Sequence, residues 1–257
     1  MGQVESPLHS DPGHETESTG LDQGVWVSIA GDRLDLDDVA QLFSRSTGVR
    51  IRREADTYFI TAPDMALLAT DAEKRDRAIE LIELVNGAAR LQWTNHRTLT
   101  AGSRVVTIEA DGSRREGIVV QVGAAESRSR AGSVTVVIGG VPVPTPPPAP
   151  PRWVEAALTD RDVAAALRIL ADPDVAWSRL YHVFEIVQSD VGSGMDQWAT
   201  PAARDLFTWT ANNRPAIGDE ARHGHSRFQS PPSPMTLGEA RKLIRSIVAG
   251  WLTDRIP

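Results

Sequence analysis

Cysteine is absent from the chain, which excludes disulfides, thiolate metal sites and a cysteine nucleophile and suits a reducing cytoplasm. Lysine is nearly absent too, with two residues against 25 arginines, a bias expected of a GC-rich bacterial genome. No apolar run approaches the about 20 residues needed to span a membrane. The first twenty residues lack the basic and apolar regions of a secretory signal. The phosphate loop GxxxxGK[ST], the dinucleotide fingerprint GxGxxG, the serine elbow GxSxG and the zinc motif HEXXH are all missing. No cofactor and no metal is expected, and the location expected is cytoplasmic.

The acidity is unevenly spread. Residues 1–23 hold five acids and no base, residues 24–140 hold 16 acids and 15 bases, and residues 141–257 hold 13 and 12. The two larger segments are therefore nearly neutral, without the general basic field of a non-specific nucleic-acid binder. Residues 142–151 read PVPTPPPAPP. Each proline ring fixes φ and removes an N–H, which predicts an extended polyproline spacer, with a ligand for a proline-recognising partner as the alternative. The expected fold class is α+β. A disordered acidic tail covers 1–23, a small mixed α/β domain 24–140, a proline-rich linker 141–151, and an all-α helical bundle 152–257.

Within the first segment, 25–30 reads as a strand and 34–46 as an amphipathic helix. Alternation over 49–54 and 57–62 predicts a hairpin around Ala55-Asp56. Thr70 and Glu73 form a capping box that opens a helix to Val85, with Asn86-Gly87 as its expected stop. Asp111-Gly112 between RVVTIEA and RREGIVVQV is a tight-turn signal, and SVTVVIG (133–139) predicts a last strand. In the second segment, 153–171 covers one or two helices, and Asp172-Pro173 is expected to cap the next. Pro201 starts another helix. Thr236 and Glu239 form a second capping box, before a stripe of Leu243, Ile244, Ile247, Val248, Trp251 and Leu252. Asp35-Asp37-Asp38 reads as the acidic first turn of a helix. Arg50, Arg52 and Arg53 and the Arg114-Arg115 pair read either as phosphate contacts or as solvated strand faces.

The most chemically suggestive stretch runs from Thr210 to Thr236. It holds Asn212, Asn213, Asp219, Glu220, Arg222, His223, His225 and Arg227 with almost no apolar periodicity. Histidine titrates near neutrality, and arginines hold phosphates and carboxylates by paired hydrogen bonds. The stretch is thus either an anion-suited loop, with Asn212, Arg222, His223 and His225 as ligand contacts, or a long polar connection whose acids pair with its arginines. Arg179, His182 and Glu185 lie along one helix, where Glu185 and a histidine make an acid–base candidate. The catalytic candidates are His223, Arg222 and Glu185.

Trp177-x-x-Leu180-Tyr181-x-x-x-Glu185, Thr210-Ala211-Asn212, Ala221-Arg222-His223-Gly224, Pro234-Met235-Thr236-x-x-Glu239-Ala240 and Trp251-Leu252 together resemble a group of uncharacterised bacterial proteins. That resemblance covers about the last third of the chain and implies no activity. More distantly, a helical bundle with an Arg/His-bearing loop resembles HEPN domains, whose Arg-to-His spacing is longer than the one here. That resemblance implies a metal-independent ribonuclease of a conflict or stress system. Arg222 would stabilise the phosphorane charge, His223 or His225 would act as acid or base, and Asn212 would position the phosphate. The composition and motif searches favour instead a cytosolic binding or regulatory protein that takes an anionic ligand or a protein partner. RNA is a possible partner, a membrane is not, and a homo-oligomer is compatible.

Overall fold

A computed structural model describes residues 20–119, 149–221 and 229–256. The first segment builds a five-stranded antiparallel sheet in the order β2-β3-β1-β4-β5. Its strands are β1 (Gly24–Ala30), β2 (Arg50–Glu54), β3 (Thr57–Thr61), β4 (Thr100–Ile108) and β5 (Arg114–Ile118). Helix α1 (Arg33–Phe43) joins β1 to β2, and α2 (Asp71–Gln92) joins β3 to β4. The second segment supplies α3 (Ala149–Ala157), α4 (Arg161–Leu170), α5 (Trp177–Val191), α6 (Pro201–Ala211), the single turn α7 (Arg214–Ile217) and α8 (Leu237–Arg255). The mixed α+β class therefore holds. Among the described residues no helix is long and apolar enough to cross a membrane.

Alternation sorts the sheet into two faces. Val25, Val27 and Ile29 of β1, with Ile51, Tyr58, Ile60 and Val105, turn toward the helices and are buried. Both hairpins form where the turn residues place them. Ala55 adopts φ 53 in the first, and Gly112 φ 80 in the second. The strand expected at 133–139 and the loop before it lie outside the described residues.

Helix α2 departs from its sequence reading. The Thr70 capping box forms as expected, but the helix passes through Asn86-Gly87 to Gln92. Here Gly87 is not a terminator. A Cβ built on it would stand 2.1 Å from the Leu167 carbonyl oxygen, so the missing side chain lets the backbone of α4 approach. Asn86 is 3% exposed and bonds to other parts of the chain. Local stop signals and long-range packing signals are spelled with the same two residues, and packing decides.

The proline-rich segment departs as well. Pro150 and Pro151 are buried in the first turn of α3. First-turn N–H groups have no partner inside a helix, so proline costs little there. Residues 141–148 lie outside the described residues. The helices of the second segment also pack on the first. α2 contacts both α3 and α4, Thr47 donates to the Glu155 carboxylate, and Arg90 Nε donates to Ala171 O at 3.1 Å. One cluster of buried apolar side chains runs from Val25 to Leu252 through both segments.

Residues 20–23 also differ from the tail expected at 1–23. Leu21 packs on the cluster of Trp26, Phe59 and Val106, and Asp22 pairs with Arg50 at 2.6 Å and Arg52 at 3.2 Å. Residues 1–19 lie outside the described residues. Asp172 caps only a turn, accepting from Asp174 N at 2.8 Å, and α5 begins at Trp177. Its first N–H instead meets the Glu220 carboxylate at 3.4 Å. The capping box at Thr236 and the α8 stripe form as read, with Ile244, Ile247, Val248, Trp251 and Leu252 all buried.

The α2–α4 contact makes a direct prediction. Gly87→Ala should destabilise the protein by about 3 kcal/mol, the upper part of the range for overpacking. Gly238→Ala, with open space around its Cβ position, should be neutral or stabilising by up to about 1 kcal/mol. Urea unfolding of the two variants measures both; equal effects would mean that α4 does not press on Gly87.

Candidate functional site

The Thr210–Thr236 stretch is partly described. Arg222, His223, His225 and Arg227 lie outside the described residues. Its flanks are pinned. Asn213, 1% exposed, caps α7 by accepting from Ala216 N at 3.1 Å, and it accepts from Ser230 Oγ at 2.8 Å. Its Nδ2 donates to Gln229 O at 3.2 Å, the carbonyl that Trp209 Nε1 also reaches at 3.0 Å. Asn212 ends α6, where its Nδ2 donates to Thr208 O at 2.8 Å. Its Oδ1 is buried with no hydrogen-bond partner among the described residues. Asp219 pairs with Arg214 at 2.7 Å. Glu185 is half-buried on α5, one turn from an exposed His182.

The outer face of the sheet gathers Arg50, Arg52, Arg104 and Arg114, whereas Arg53 and Arg115 alternate to the helix side, beside Tyr58 and Asp71. Arg50 and Arg52 lie 5.3 and 5.9 Å from the Trp26 ring centre, and Arg104 lies 5.6 Å from that of Phe59. Trp26 and Phe59 are fully buried beneath them, so neither ring offers a face to a nucleic-acid base. Arg114 grips Glu54 through two bonds of 2.9 and 2.8 Å. Hydrogen bonds from Arg114 hold the Glu54 carboxyl below the usual carboxylate range. These cations cover aromatic surface and pair with acids, which explains them without a phosphate.

The better-formed recess lies where the two segments meet. A groove of about 580 Å³ opens between α2, the lead into β4 and the α4–α5 turn. Ile79, Ile82, Leu99 and Ala171 make its apolar surface, and Arg75, Arg168 and Arg179 stand around it with Glu83 and Asp172. Arg168 leans on Glu83 at 3.9 Å, and Arg75 Nε donates to Gly102 O at 3.0 Å. Arg179 has no carboxylate within ion-pair distance among the described residues. A wider hollow of about 710 Å³ sits at the α3–α4 turn, but one turn alone lines it. There Asp160 caps α4 and binds Arg255 at 2.7 Å. The groove has walls from three elements, the usual form of a ligand site.

Behind the groove runs a polar chain that the sequence does not announce. Asn86 Nδ2 donates to Leu99 O at 3.0 Å, and Leu99 N donates to Asn86 Oδ1 at 2.9 Å. His96 Nε2 lies 3.1 Å from the same Oδ1, and its Nδ1 lies 3.3 Å from Asp35 Oδ1. Asp35 Oδ2 accepts from Arg97 N at 3.3 Å. Arg90, 4% exposed, links Thr98 Oγ1 at 2.8 Å to the end of α4. The parts come from α1, α2 and the connection before β4, so no spacing along the chain joins them. The remaining clue is a lone histidine four residues after a helix and ahead of a strand. Among the described residues, no three His, Asp or Glu side chains converge as metal ligands.

Burial, and secondarily the Arg90 cation, pushes the His96 imidazole down to about 4 from 6.5. The unfolded chain therefore binds a proton that the folded chain refuses. Stability is fully present above pH 6.5 and is lost as pH falls through 4, by about 3 kcal/mol over the window. Unfolding midpoints measured across this range should show that loss in the native chain, and His96→Gln should flatten it. An unchanged acid slope in His96→Gln would mean that His96 is not the group responsible. Comparison with known proteins gives no match to a family model, to a curated protein or to a solved structure.

Proposed function

We propose that the protein is a binding protein, with a regulatory role in a reducing compartment, and that its ligand is a small anion carrying an apolar body. The observation that carries this reading is the makeup of the junction groove, in which three guanidinium groups and two carboxylates surround an apolar surface. Such a recess desolvates an acyl or aryl group while arginines bond its carboxylate or phosphate. Arg179 and Arg168 are the residues assigned to the anion, and Ile79, Ile82 and Leu99 to the apolar body. The absence of phosphate-loop, serine-elbow and thiol chemistry supports binding over turnover.

Titration with phenyl phosphate and with octanoate, followed by amide shifts in a ¹H–¹⁵N spectrum, tests the reading and separates the two headgroups. Either probe should move the amides of Asn86 and Thr98–Ala101. The Arg168→Gln/Arg179→Gln double variant should weaken binding roughly tenfold or more, the expected scale for charge-assisted hydrogen bonds. No shift with either probe, or shifts confined to other surfaces, would contradict the proposal.

A further inference from the structure

The turn between α4 and α5 is gripped from two sides by arginines. Arg90 of α2 donates from Nε to Ala171 O at 3.1 Å and from Nη2 to Thr98 Oγ1 at 2.8 Å. Arg241 of α8 donates from Nε to Val175 O at 3.1 Å. Arg245 stands one turn further along α8, where residues four apart share a face. Arg241 and Arg245 are half-buried, and Arg90 is 4% exposed. Two of the three cations thus commit a donor to the carbonyls of one turn. Arg245 makes no hydrogen bond and no ion pair among the described residues.

None of the three has a carboxylate within ion-pair distance among the described residues. Asp172, Asp35 and Asp174 favour the Arg90 cation from beyond that distance, and Asp172 Oδ1 already accepts from Asp174 N at 2.8 Å. Burial, and then the charge of Arg245, hold Arg90 below the ordinary arginine range. Burial, and then the charge of Arg241, do the same to Arg245. Like charges gathered where water is partly excluded repel one another and lose hydration. The turn carbonyls account for the placing of Arg90 and Arg241. Nothing among the described residues accounts for that of Arg245.

We propose that the face of α8 bearing Arg241 and Arg245 binds a phosphate group beside the α4–α5 turn. Arg245 offers its whole guanidinium fork, and Arg241 offers the two Nη groups left free by its bond to Val175. Side chains one helical turn apart start about 5–6 Å from each other at Cβ, so two forks converge on the oxygens of one tetrahedral anion. Nε and Nη2 of Arg90 are occupied, so Arg90 supplies charge behind the site. Three cations favour a doubly charged phosphate over a single carboxylate, and Asp172 and Asp174 on the turn oppose it. Neither Arg241 nor Arg245 lines the junction groove. The α8 face needs no apolar body in its ligand, which separates this ligand from the one assigned to the groove.

The test titrates inorganic phosphate, methyl phosphate and acetate into the full chain and follows arginine Nε–H and backbone amide signals in a ¹H–¹⁵N spectrum. Inorganic phosphate should move the Arg241 and Arg245 Nε–H signals and the Val175 amide along one saturable curve, and acetate should not. Methyl phosphate binding as tightly would assign the site to phosphate monoesters, and weaker binding would assign it to the free ion. Arg245→Gln should weaken phosphate binding roughly tenfold, the scale of lost hydrogen bonds to a charged group. Asp174→Asn should strengthen it, and Arg168→Gln/Arg179→Gln should leave it unchanged while weakening the groove. Phosphate should also raise the unfolding midpoint of the native chain and not that of Arg245→Gln. In phosphate-free buffer Arg245→Gln should unfold no earlier than the native chain, because the charge it removes has no partner. Shifts that never saturate, an equal response to acetate, undiminished binding in Arg245→Gln, or early unfolding of that variant without phosphate would overturn the proposal.

Discussion

The approach of α2 to α4 at Gly87 is the constraint on which the rest of the structure depends. A helix twenty-two residues long lies against the sheet on one side and against α3 and α4 on another. At the crossing the Leu167 carbonyl takes the space of a side chain. Interiors pack as densely as organic crystals, so this one absence sets the distance between the two halves of the core. Arg90 locks the same junction by donating to Ala171 at the end of α4. A cation at a helix C-terminus also meets the negative end of the helix dipole.

The groove follows from that arrangement. Beside the crossing, α2 and Arg168 of α4 form its floor and one wall, and the lead into β4 and the α4–α5 turn close the sides. Apolar residues that face a core elsewhere face a recess here, and arginines rim it. The polar chain behind the wall holds Leu99 through Asn86, which removes an amide and a carbonyl from competition with solvent. Recognition and stability thus draw on the same side chains: Asn86 is both a wall of the groove and the anchor of the connection leading into β4.

Much of the local architecture was legible in the sequence. The two capping boxes, the hairpins at Ala55-Asp56 and Asp111-Gly112, the start at Pro201 and the α8 stripe depend on neighbours within a few residues, and all formed as read. The failures share one cause. Asn86-Gly87 looks like a helix stop, Pro150-Pro151 like a spacer and Asp172 like a helix cap, and in each case a distant partner or a position in a turn decides. His96 carries no local signal, because its partners, Asp35 and Asn86, are 61 and 10 residues away. The Arg/His stretch from Arg222 to Arg227 lies outside the described residues, and its flanks are pinned at Asn213, Glu220 and Gln229.

The central claim is that α2 joins both segments into one cooperative core. Native-state hydrogen exchange in increasing denaturant measures it most directly, by comparing amides of α2 with those of α4 and α8. A shared core predicts that the most protected amides of all three helices exchange through one opening, with the same free energy and the same denaturant dependence. Separate openings, with α4 and α8 exchanging while α2 stays closed, would contradict the account.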